Sequence, residues 1–437
     1  MSTSLKRSKG SQSSLRIGTF SFWMKVCSQG NNLVMYSNTV ESDNNRGYIQ
    51  LTTDGKWRMV DNDASGDHIV LRTNRKFRDF NAWYHFVVRV DTTQSTNTDR
   101  VRLYINGVQE TSFDETTYPA QNENLKIFEG GQTNREYINR VYGGSAYADN
   151  FMLSHFHFTD GQSYGPDTFG STDSTTGEWK INTSPTVTYG NQGFFMFKDD
   201  ASLNDDSGNG NNWTADSGTV QKTEDNPSNV FATLNPLLGP RYSTQTFSNG
   251  NTTVAASGGG HEMHMSTLAI PNSGKFYYEA KLDAIGNYPI IGVVEAKNVI
   301  TNNKDINTYG YGYFFNGNIV KLGGSPISPT YSSYTTGDFI GVAVDCDNKE
   351  IYFSKNGTWQ NSSDPANRTN PAITGLLTDD LMLGVNNYGS TWSVNFGNGY
   401  FGTTAVSSAG TNASGIGIFE YDVPTGYTAL STKGLNE

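Results

Sequence analysis

Apolar and polar residues alternate with a period of two along several short stretches of the chain. Residues 20–26 read FSFWMKV, every second residue from Tyr84 to Val90 is apolar, and residues 101–105 read VRLYI. A period of two places successive side chains on opposite faces of a strand. The pattern therefore predicts half-buried β-strands, and no convincing amphipathic helix of ten residues interrupts it.

Asn-Gly pairs separate several of these apolar runs. They stand at Asn106-Gly107, Asn316-Gly317 and Asn356-Gly357. Asn-Gly readily adopts the two positive φ angles of a type I′ hairpin turn. The chain also has 47 Gly, 24 Phe and 24 Tyr among 437 residues, so turn formers and strand formers are abundant together. We expect an all-β protein made of two tandem antiparallel β-sandwich (jelly-roll) domains.

The composition changes between residues 199 and 240, where Asp, Asn, Ser and Gly become frequent. The segment ends in residues 233–240, TLNPLLGP, and the strand pattern then restarts. Clustered Pro and Gly are typical of a domain boundary. We expect one domain over residues 1–240 and a second over 241–437.

The charge of each half limits the classes of partner that we expect. The net charge is −11, with 21 Lys and Arg against 27 Asp and Glu in residues 1–240, and 10 against 15 afterwards. Neither half is basic, so nucleic acid is not an expected partner. The basic residues Lys6, Arg7, Lys9 and Arg16 suggest a solvated arm. Cys27 and Cys346 are expected to be buried thiols.

The first residues carry no apolar run after their charges, and no stretch approaches the roughly 18 apolar residues of a membrane span. We therefore expect neither a secretory signal nor insertion into a membrane.

The first half resembles a concanavalin A-like (laminin-G-like) domain. The resemblance rests on residues 82–85 (AWYH) and 100–107 (RVRLYING). Three further blocks resemble a version of this domain found in proteins of tailed bacteriophages. They are residues 154–162 (SHFHFTDGQ), 169–180 (FGSTDSTTGEWK) and 206–213 (DSGNGNNW).

The second half is similar to a SPRY domain. The similar blocks are residues 274–279 (GKFYYE), 337–345 (GDFIGVAVD), 348–353 (NKEIYF), 355–359 (KNGTW) and 424–427 (PTGY). The resemblance implies two packed sheets whose variable loops at one end bind partners. The pairing of the two halves implies a structural protein of a tailed-bacteriophage particle.

Candidate chemistry is sparse. A glycosidase needs two carboxylates facing each other across the scissile bond, and in the first half only Glu41 and Asp43 come near such spacing.

His155 and His157 share a strand face two residues apart and could bind a metal with a third ligand. Calcium is a stronger candidate, because oxygen donors cluster in one Gly-bearing loop. The proposed ligands are Asp199, Asp205, Asp206 and Asn209, and the alternative is a turn that simply uses these side chains.

Aromatic residues in rim loops are the expected ligand contacts, since each offers a flat apolar face and a polar tip. In the second domain we single out Tyr309, Tyr311, Tyr331, Tyr334, Tyr388 and Trp392. In the first domain the comparable residues are Trp57, Tyr142 and Tyr147. A core position is the alternative for each of them.

The function expected from these features is that of a non-enzymatic virion protein, a tail fibre, tail-tip piece or capsid decoration, that recognises a host-surface glycan or protein. Its partners would be other virion proteins and further copies of itself, and it would be made in the cytoplasm of the host bacterium. A phage glycan hydrolase (depolymerase) and a cellular protein-interaction module are the alternatives.

Overall fold

A computed structural model gives the architecture of the chain. It describes residues 3–38, 45–130, 135–141, 144, 150–238, 245–256, 260–298, 305–324, 326–327, 330–376 and 381–436. The chain divides into two compact units, Met1–Lys222 and Thr223–Glu437, called unit 1 and unit 2 below.

The boundary lies earlier in the chain than the junction expected at residue 240. Phe231 packs against Tyr277 and Tyr427 in a buried cluster of unit 2. The Ala232 N–H donates to the carbonyl of Leu430 at 2.9 Å, and the side chain of Leu234 lies in the core of unit 2. The end of the segment 199–240 is therefore not a linker, because its apolar residues pack into the second unit.

Unit 1 is built from sixteen described strands, one α-helical turn, α1 (Asn97–Arg100), and one 3-10 turn, Pro166–Thr168. The strands are β1 (Ser4–Ser8), β2 (Ile17–Val26), β3 (Asn32–Asn38), β4 (Arg46–Leu51), β5 (Lys56–Asp63), β6 (Gly66–Lys76), β7 (Trp83–Asp91), β8 (Val101–Ile105), β9 (Val108–Glu110), β10 (Phe113–Thr117), β11 (Arg135–Ile138), β12 (Phe151–Asp160), β13 (Gly170–Thr172), β14 (Trp179–Ile181), β15 (Phe194–Met196) and β16 (Thr214–Ser217).

Two antiparallel sheets of unit 1 enclose one core. The first has the order β10-β6-β5-β4-β3-β11-β1-β16, the second β15-β12-β2-β7-β8-β9, and β13 pairs with β14 as a separate hairpin. Phe20 and Phe22 of the second sheet and Ile49 and Met59 of the first belong to one buried cluster. The rings of Phe20 and Phe158 stack at 4.6 Å. Alternating residues of facing strands thus form a β-sandwich.

Unit 2 is built from seventeen described strands, one α-helical turn, α2 (Ile306–Tyr309), and three 3-10 turns, Ala296–Asn298, Gln360–Ser362 and Gly434–Asn436. The strands are β17 (Gln245–Ser248), β18 (Thr253–Ala256), β19 (Glu262–Ala269), β20 (Lys275–Ala284), β21 (Ile290–Glu295), β22 (Gly310–Phe314), β23 (Ile319–Val320), β24 (Pro326–Ile327), β25 (Phe339–Asp345), β26 (Glu350–Lys355), β27 (Thr358–Trp359), β28 (Ile373–Thr374), β29 (Leu381–Asn387), β30 (Thr391–Asn395), β31 (Tyr400–Phe401), β32 (Thr404–Ala405) and β33 (Thr428–Ala429).

Two larger sheets of unit 2 again form a sandwich. One runs β17-β18-β30-β20-β25-β26-β27, with β28 on β26 and β33 on β20, and the other runs β19-β29-β21-β22-β23-β24. Tyr278 and Val342 of one sheet and Val293 and Leu383 of the other share the main core. The all-β prediction is confirmed for both units.

The outer faces of both unit 2 sheets are also buried. Tyr277 and Tyr352 point away from the main core and are covered by Phe231, Phe419 and Tyr427. On the other sheet, Ile306 of α2 packs with the outward-facing Met263, Met265, Ile290, Val294, Val320 and Met382. Burial on both faces explains why these strands read as nearly continuous apolar runs.

Two of the three Asn-Gly pairs form the expected turn. Asn106 and Gly107 have φ angles of 48° and 80° between β8 and β9, and Asn356 and Gly357 have 49° and 77° between β26 and β27. In the third pair only Gly317 has a positive φ, 95°. There the Gly317 N–H donates to the carbonyl of Phe314 at 2.9 Å, so the hairpin closes with a longer loop.

The expected solvated basic arm is wrong for Arg7 and Lys9. Strand β1 pairs with β11 and β16, which buries both side chains beside Glu136. Arg7 Nε donates to the Glu136 carboxylate, and Lys9 Nζ lies 3.1 Å from Glu136 Oε1. Burial raises the pKa of Glu136, but Arg7 and Lys9 outweigh it and hold that pKa below its usual range.

Cys27 and Cys346 are buried thiols, as expected. Burial raises the pKa of the Cys346 thiol to about 12, which makes it unreactive. Within the described ranges, the structure has no helix that is long and apolar enough to cross a membrane.

Replacing Glu136 with glutamine should destabilise unit 1 by about 3–5 kcal/mol, because Arg7 and Lys9 would keep their burial and lose their counter-charge. Glu129→Gln is the matched control: Glu129 pairs with Lys126 at 2.9 Å and has a side chain that is 36% exposed, so its loss should cost under about 1 kcal/mol. Denaturant unfolding of the full chain measures both, and equal costs for the two variants would contradict the role given to Glu136.

Candidate functional site

The histidines of β12 are held by neighbours in unit 1. A β-bulge interrupts the pairing of β12 with β2 between Ser154 and His157, and His155 has a φ of 47°. His155 Nδ1 lies 2.8 Å from Ser154 Oγ, and His157 Nδ1 lies 2.9 Å from the Tyr189 hydroxyl. Among the residues that the structure describes, no group of three His, Cys, Asp or Glu side chains could hold a metal ion.

Burial lowers the pKa of three histidines in unit 1. The pKa of His85 falls to about 3 and that of His155 to about 4, while that of His157 lies well below its usual value. His85 accepts a hydrogen bond from Trp179 Nε1 at 2.9 Å and stacks on Trp23 at 4.8 Å. These rings are neutral packing elements.

The aspartate loop proposed for calcium uses its oxygens within the fold. Asp205 accepts hydrogen bonds from the backbone N–H groups of Phe195, Ser207 and Asn211 at 2.9 Å each. The amide of Asn209 donates to the carbonyls of Gly190 and Gly193. These contacts match the alternative reading, a turn stabilised by Asp and Asn side chains.

The other two proposed calcium ligands, Asp199 and Asp206, are both exposed. Asp199 has a side chain that is 79% exposed and lies 3.8 Å from Lys198. Asp206 is exposed, and partial burial followed by the nearby Asp200 raises its pKa. Asp205 and Asn209 therefore stabilise this loop through hydrogen bonds, and the calcium site stays a prediction.

Four of the six aromatics predicted to contact ligand lie in the core of unit 2, so that prediction is wrong for them. Trp392 is 0% exposed, Tyr334 2%, Tyr311 4% and Tyr331 8%. The Tyr334 hydroxyl donates to the carbonyls of Pro289 and Tyr313. The segment around Tyr331 has the composition of a loop, but it packs its rings between the sheets.

Tyr309 and Tyr388 are half-buried. Tyr309 packs on the outer-face cluster that contains Met263, and its ligand role stays a prediction, as does that of Tyr388. In unit 1, Trp57 is buried. Tyr142 and Tyr147 lie outside the described residues, as do Glu41 and Asp43.

Tyr388 belongs to a group of three rings and one aliphatic residue at one end of unit 2. It is here called the rim cluster and defined as His261, Tyr288, Tyr388 and Ile285. The His261 ring lies 4.8 Å from Tyr288 and 5.4 Å from Tyr388, and the two tyrosine rings are 5.8 Å apart. Interplanar angles of 60–66° give edge-to-face contacts. Tyr288 is 45% exposed and Ile285 39%.

Hydrogen bonds between two loops fix the rim cluster in place. The Asn287 N–H donates to the carbonyl of Tyr388 at 3.0 Å, and the Gly286 N–H donates to Ser390 Oγ at 3.0 Å. The Asn386 amide, at the end of β29, donates to the carbonyl of Tyr288 at 2.8 Å. The aromatic rings are therefore positioned before any ligand arrives, which reduces the entropy lost on binding.

Gly286 permits the close approach of these loops. A Cβ atom at this position would lie 2.1 Å from the carbonyl oxygen of Tyr388. Below the cluster, the Tyr288 ring stacks on Phe314 at 5.6 Å. Beside it, the carboxylate of Asp305 lies 3.5 Å from His261 Nδ1 and caps α2 through the Thr308 N–H.

Sequence reasoning selected Tyr388 but missed Ile285, Tyr288 and His261. The sequence does contain a signal for Ile285 and Tyr288, because these two large apolar residues flank Gly286 and Asn287 in the connection between β20 and β21. Apolar residues on both sides of a polar turn indicate either a buried turn or an exposed binding loop.

One pair of carboxylates in unit 2 lies on neighbouring strands. Asp345 and Glu350 stand directly opposite each other in the pairing of β25 with β26. Lys275 lies 3.1 Å from Asp345, and Arg368 lies 2.8 Å from Glu350. The pKa of Asp345 is lowered because Asn348 and Lys275 outweigh its burial, and Arg368 lowers the pKa of Glu350. Both groups stay ionised, so neither supplies a general acid.

Two other carboxyl groups have raised pKa values without access to a substrate. Burial raises the pKa of Asp61 and of Glu279 to about 7, and both residues are 0% exposed. Asp61 accepts from the Ile127 N–H at 2.7 Å, and Glu279 accepts from the N–H groups of Glu420 and Tyr421 at 2.9 Å. Each carboxyl group anchors a distant backbone segment.

Family comparisons assign a domain to each unit. Residues 8–144 match the concanavalin A-like lectin/glucanases superfamily, in its laminin-G form, and residues 275–368 match the SPRY domain. The chain thus carries a concanavalin A-like domain followed by a SPRY domain, in the predicted order. Domains of both kinds are ligand- or protein-binding modules.

Solved structures resemble parts of the chain at low identity. The SPRY domain of human HERC1 is 20% identical with a TM-score of 0.29, covering 36% of this chain and 96% of its own. A heptameric SAP-like pentraxin from Limulus polyphemus is 14% identical with a TM-score of 0.29, covering 45% and 89%. The LG1-3 region of the laminin alpha2 chain is 12% identical with a TM-score of 0.31, covering 90% and 56%. No curated protein matches the sequence.

Acidification from pH 7 to pH 5 should destabilise unit 1. His85, His155 and His157 have folded pKa values below the unfolded value of about 6.5, so their contribution is present above that pH and is lost as the pH falls. At pH 5 each of the three histidines lowers the free energy of unfolding by about 2 kcal/mol. Protonation of Asp61, whose folded pKa is raised, increases that free energy by about as much as one histidine lowers it.

Hydrogen exchange of the full chain, read separately in β2 and β20, measures this pH effect. Unit 2 is the internal control, since the lowered pKa of His264 and the raised pKa of Glu279 act in opposite directions. Unit 1 that is equally or more protected at pH 5 would refute the assignment of neutral buried histidines.

Gly286→Ala should cost about 1–3 kcal/mol of unfolding free energy, because the added methyl group would collide with the Tyr388 carbonyl. Gly165→Ala is the control, since a Cβ there meets nothing within 4 Å. Equal stability of the two variants in denaturant unfolding would show that the loops are not in close contact.

Proposed function

We propose that the chain is a non-enzymatic binding protein of a tailed-phage particle and that it contacts a host-surface glycan or protein through the rim cluster. The observation that carries the proposal is the exposed pair of Tyr288 and Ile285, held on hydrogen-bonded loops of a binding domain. Exposed aromatic side chains on rigid loops are the usual anchors of binding surfaces.

The state of four carboxyl groups, Asp61, Glu279, Asp345 and Glu350, supports a role without catalysis. Hydrolysis of a glycosidic bond needs a protonated acid and a second carboxylate that both reach the substrate. Asp345 and Glu350 are ionised and paired with cations, while Asp61 and Glu279 are enclosed in the fold. A depolymerase would need its acid pair elsewhere.

Placement on a phage particle rests on the resemblance of three sequence blocks in unit 1. Their residues build the fold: Phe156 and Phe158 lie in the core, Trp213 is 2% exposed, and Trp179 bonds to His85. In this proposal unit 1 docks on other virion proteins or on copies of the chain, and unit 2 faces the host. The protein would be made in the bacterial cytoplasm and assembled into the virion.

Mass spectrometry of purified particles tests the location, and binding of the labelled full chain to cells of the host strain tests the role. Tyr288→Ala and Tyr388→Ala should each weaken cell binding about 10-fold or more, as loss of a binding anchor does. Ile418→Ala is the control for exposed apolar surface, because Ile418 is 38% exposed and lies outside the rim cluster. Unchanged binding by both tyrosine variants, or release of new reducing ends from the cells, would overturn the proposal.

A further inference from the structure

The spacing within the rim cluster limits what it can bind. Its three rings lie 4.8–5.8 Å apart, which is the spacing of aromatic rings in direct contact. A methylammonium group needs to sit within about 6 Å of each surrounding ring centroid and in a gap between the rings. No such gap exists, so a ligand must lie over the cluster rather than inside it.

The size of the apolar surface favours a small ring over a protein. Two of its residues, Ile285 and Tyr288, are exposed, while Tyr388 and His261 are half-buried. A stable protein interface buries about 800 Å² on each partner, from roughly 20–30 residues. The rim cluster has only four residues, so it suits a ligand of one or two sugar rings better than a protein surface.

Polar groups surround these rings. Asn287, which precedes Tyr288 in the loop, is exposed. Within the part of the chain that the structure describes, the hydroxyls of Tyr288 and Tyr388 make no hydrogen bond, which leaves them available to sugar hydroxyls. An aromatic face ringed by donors and acceptors suits a ligand with one C–H face and a rim of hydroxyls.

The charge at the cluster selects among sugars. Asp305 places a carboxylate 3.5 Å from His261. A carboxylate on the ligand would be repelled there, whereas a hydroxymethyl group would not.

We propose that the rim cluster recognises a neutral hexopyranose within a surface glycan, with the C–H face of the sugar stacked on Tyr288 and Tyr388 and its hydroxyls bonded by Asn287 and the tyrosine hydroxyls. This inference rests on the proposed function, since it names the ligand class of the same site. His261 is a positioning residue that fixes the angle between the two tyrosine rings.

Saturation-transfer NMR of the full chain with matched disaccharides tests the inference. The probes are glucose, galactose and mannose disaccharides, each paired with the uronate disaccharide that differs by a carboxylate at C6. At least one neutral disaccharide should bind, with saturation concentrated on the protons of one sugar face. Its uronate partner should bind at least about 10-fold more weakly.

Variants locate the binding on the rim cluster. Tyr288→Ala and Tyr388→Ala should abolish the NMR signal, whereas Tyr288→Phe should keep the stacking and bind a few-fold more weakly. Ile418→Ala should bind as the parent does. Thermal unfolding of each variant checks that unit 2 remains folded, and His261→Gln serves as a second, less disruptive variant.

The inference and the proposed function fail in different ways. If no neutral disaccharide binds, or the uronates bind more tightly, the sugar assignment is overturned. If protease treatment of the cells abolishes binding that still depends on Tyr288, the ligand is a protein, and the proposed function stands without the sugar. If cell binding ignores Tyr288 and Tyr388, the proposed function itself falls.

Discussion

Central strands of these sheets are buried on both faces, and this constraint decides where a ligand can bind. In β29 all seven residues are buried, and in β2 nine of ten are. In unit 2 one face of these strands fills the sandwich core, while the other is covered by terminal segments or by α2. With both faces used for stability, binding is left to the ends of the strands, where Tyr288 and Tyr388 lie.

Buried carboxyl groups keep the covering segments in place. Glu279 of β20 holds the backbone of Glu420 and Tyr421 over the outer face of its sheet, and Asp61 of β5 holds the backbone at Lys126 and Ile127. Unpaired backbone N–H groups would be costly there, and the carboxyl oxygens satisfy them. These acids have the perturbed pKa values that often indicate catalysis, but their geometry assigns them to structure.

The sequence predicted features that depend on neighbouring residues. Period-two alternation identified β2, β7 and β8, and Asn-Gly identified the turns at Gly107 and Gly357, because both signals arise within a few residues. The order of the two domains was predicted from longer sequence blocks, each of which resembles one of the two domain families.

Features that depend on contacts between residues far apart in the sequence were not predicted. Arg7 and Lys9 read as a solvated arm because their partner, Glu136, lies far along the chain. Tyr331 and Tyr334 read as rim aromatics because Ser and Thr surround them, yet carbonyls from β22 and from Pro289 receive the Tyr334 hydroxyl. The rim cluster was only partly found, since His261, Tyr288 and Tyr388 come from three separate segments.

Hydroxyl-radical footprinting of the full chain, alone and bound to host cells, tests most directly whether function lies at the strand ends of unit 2. In the free protein Tyr288 and Ile285 should be oxidised readily, and Tyr334 and Trp392 should be protected. On binding, oxidation of Tyr288 and Ile285 should fall several-fold while Ile418 and Val108 stay unchanged. Protection that appears elsewhere, with Tyr288 oxidised as before, would contradict the account.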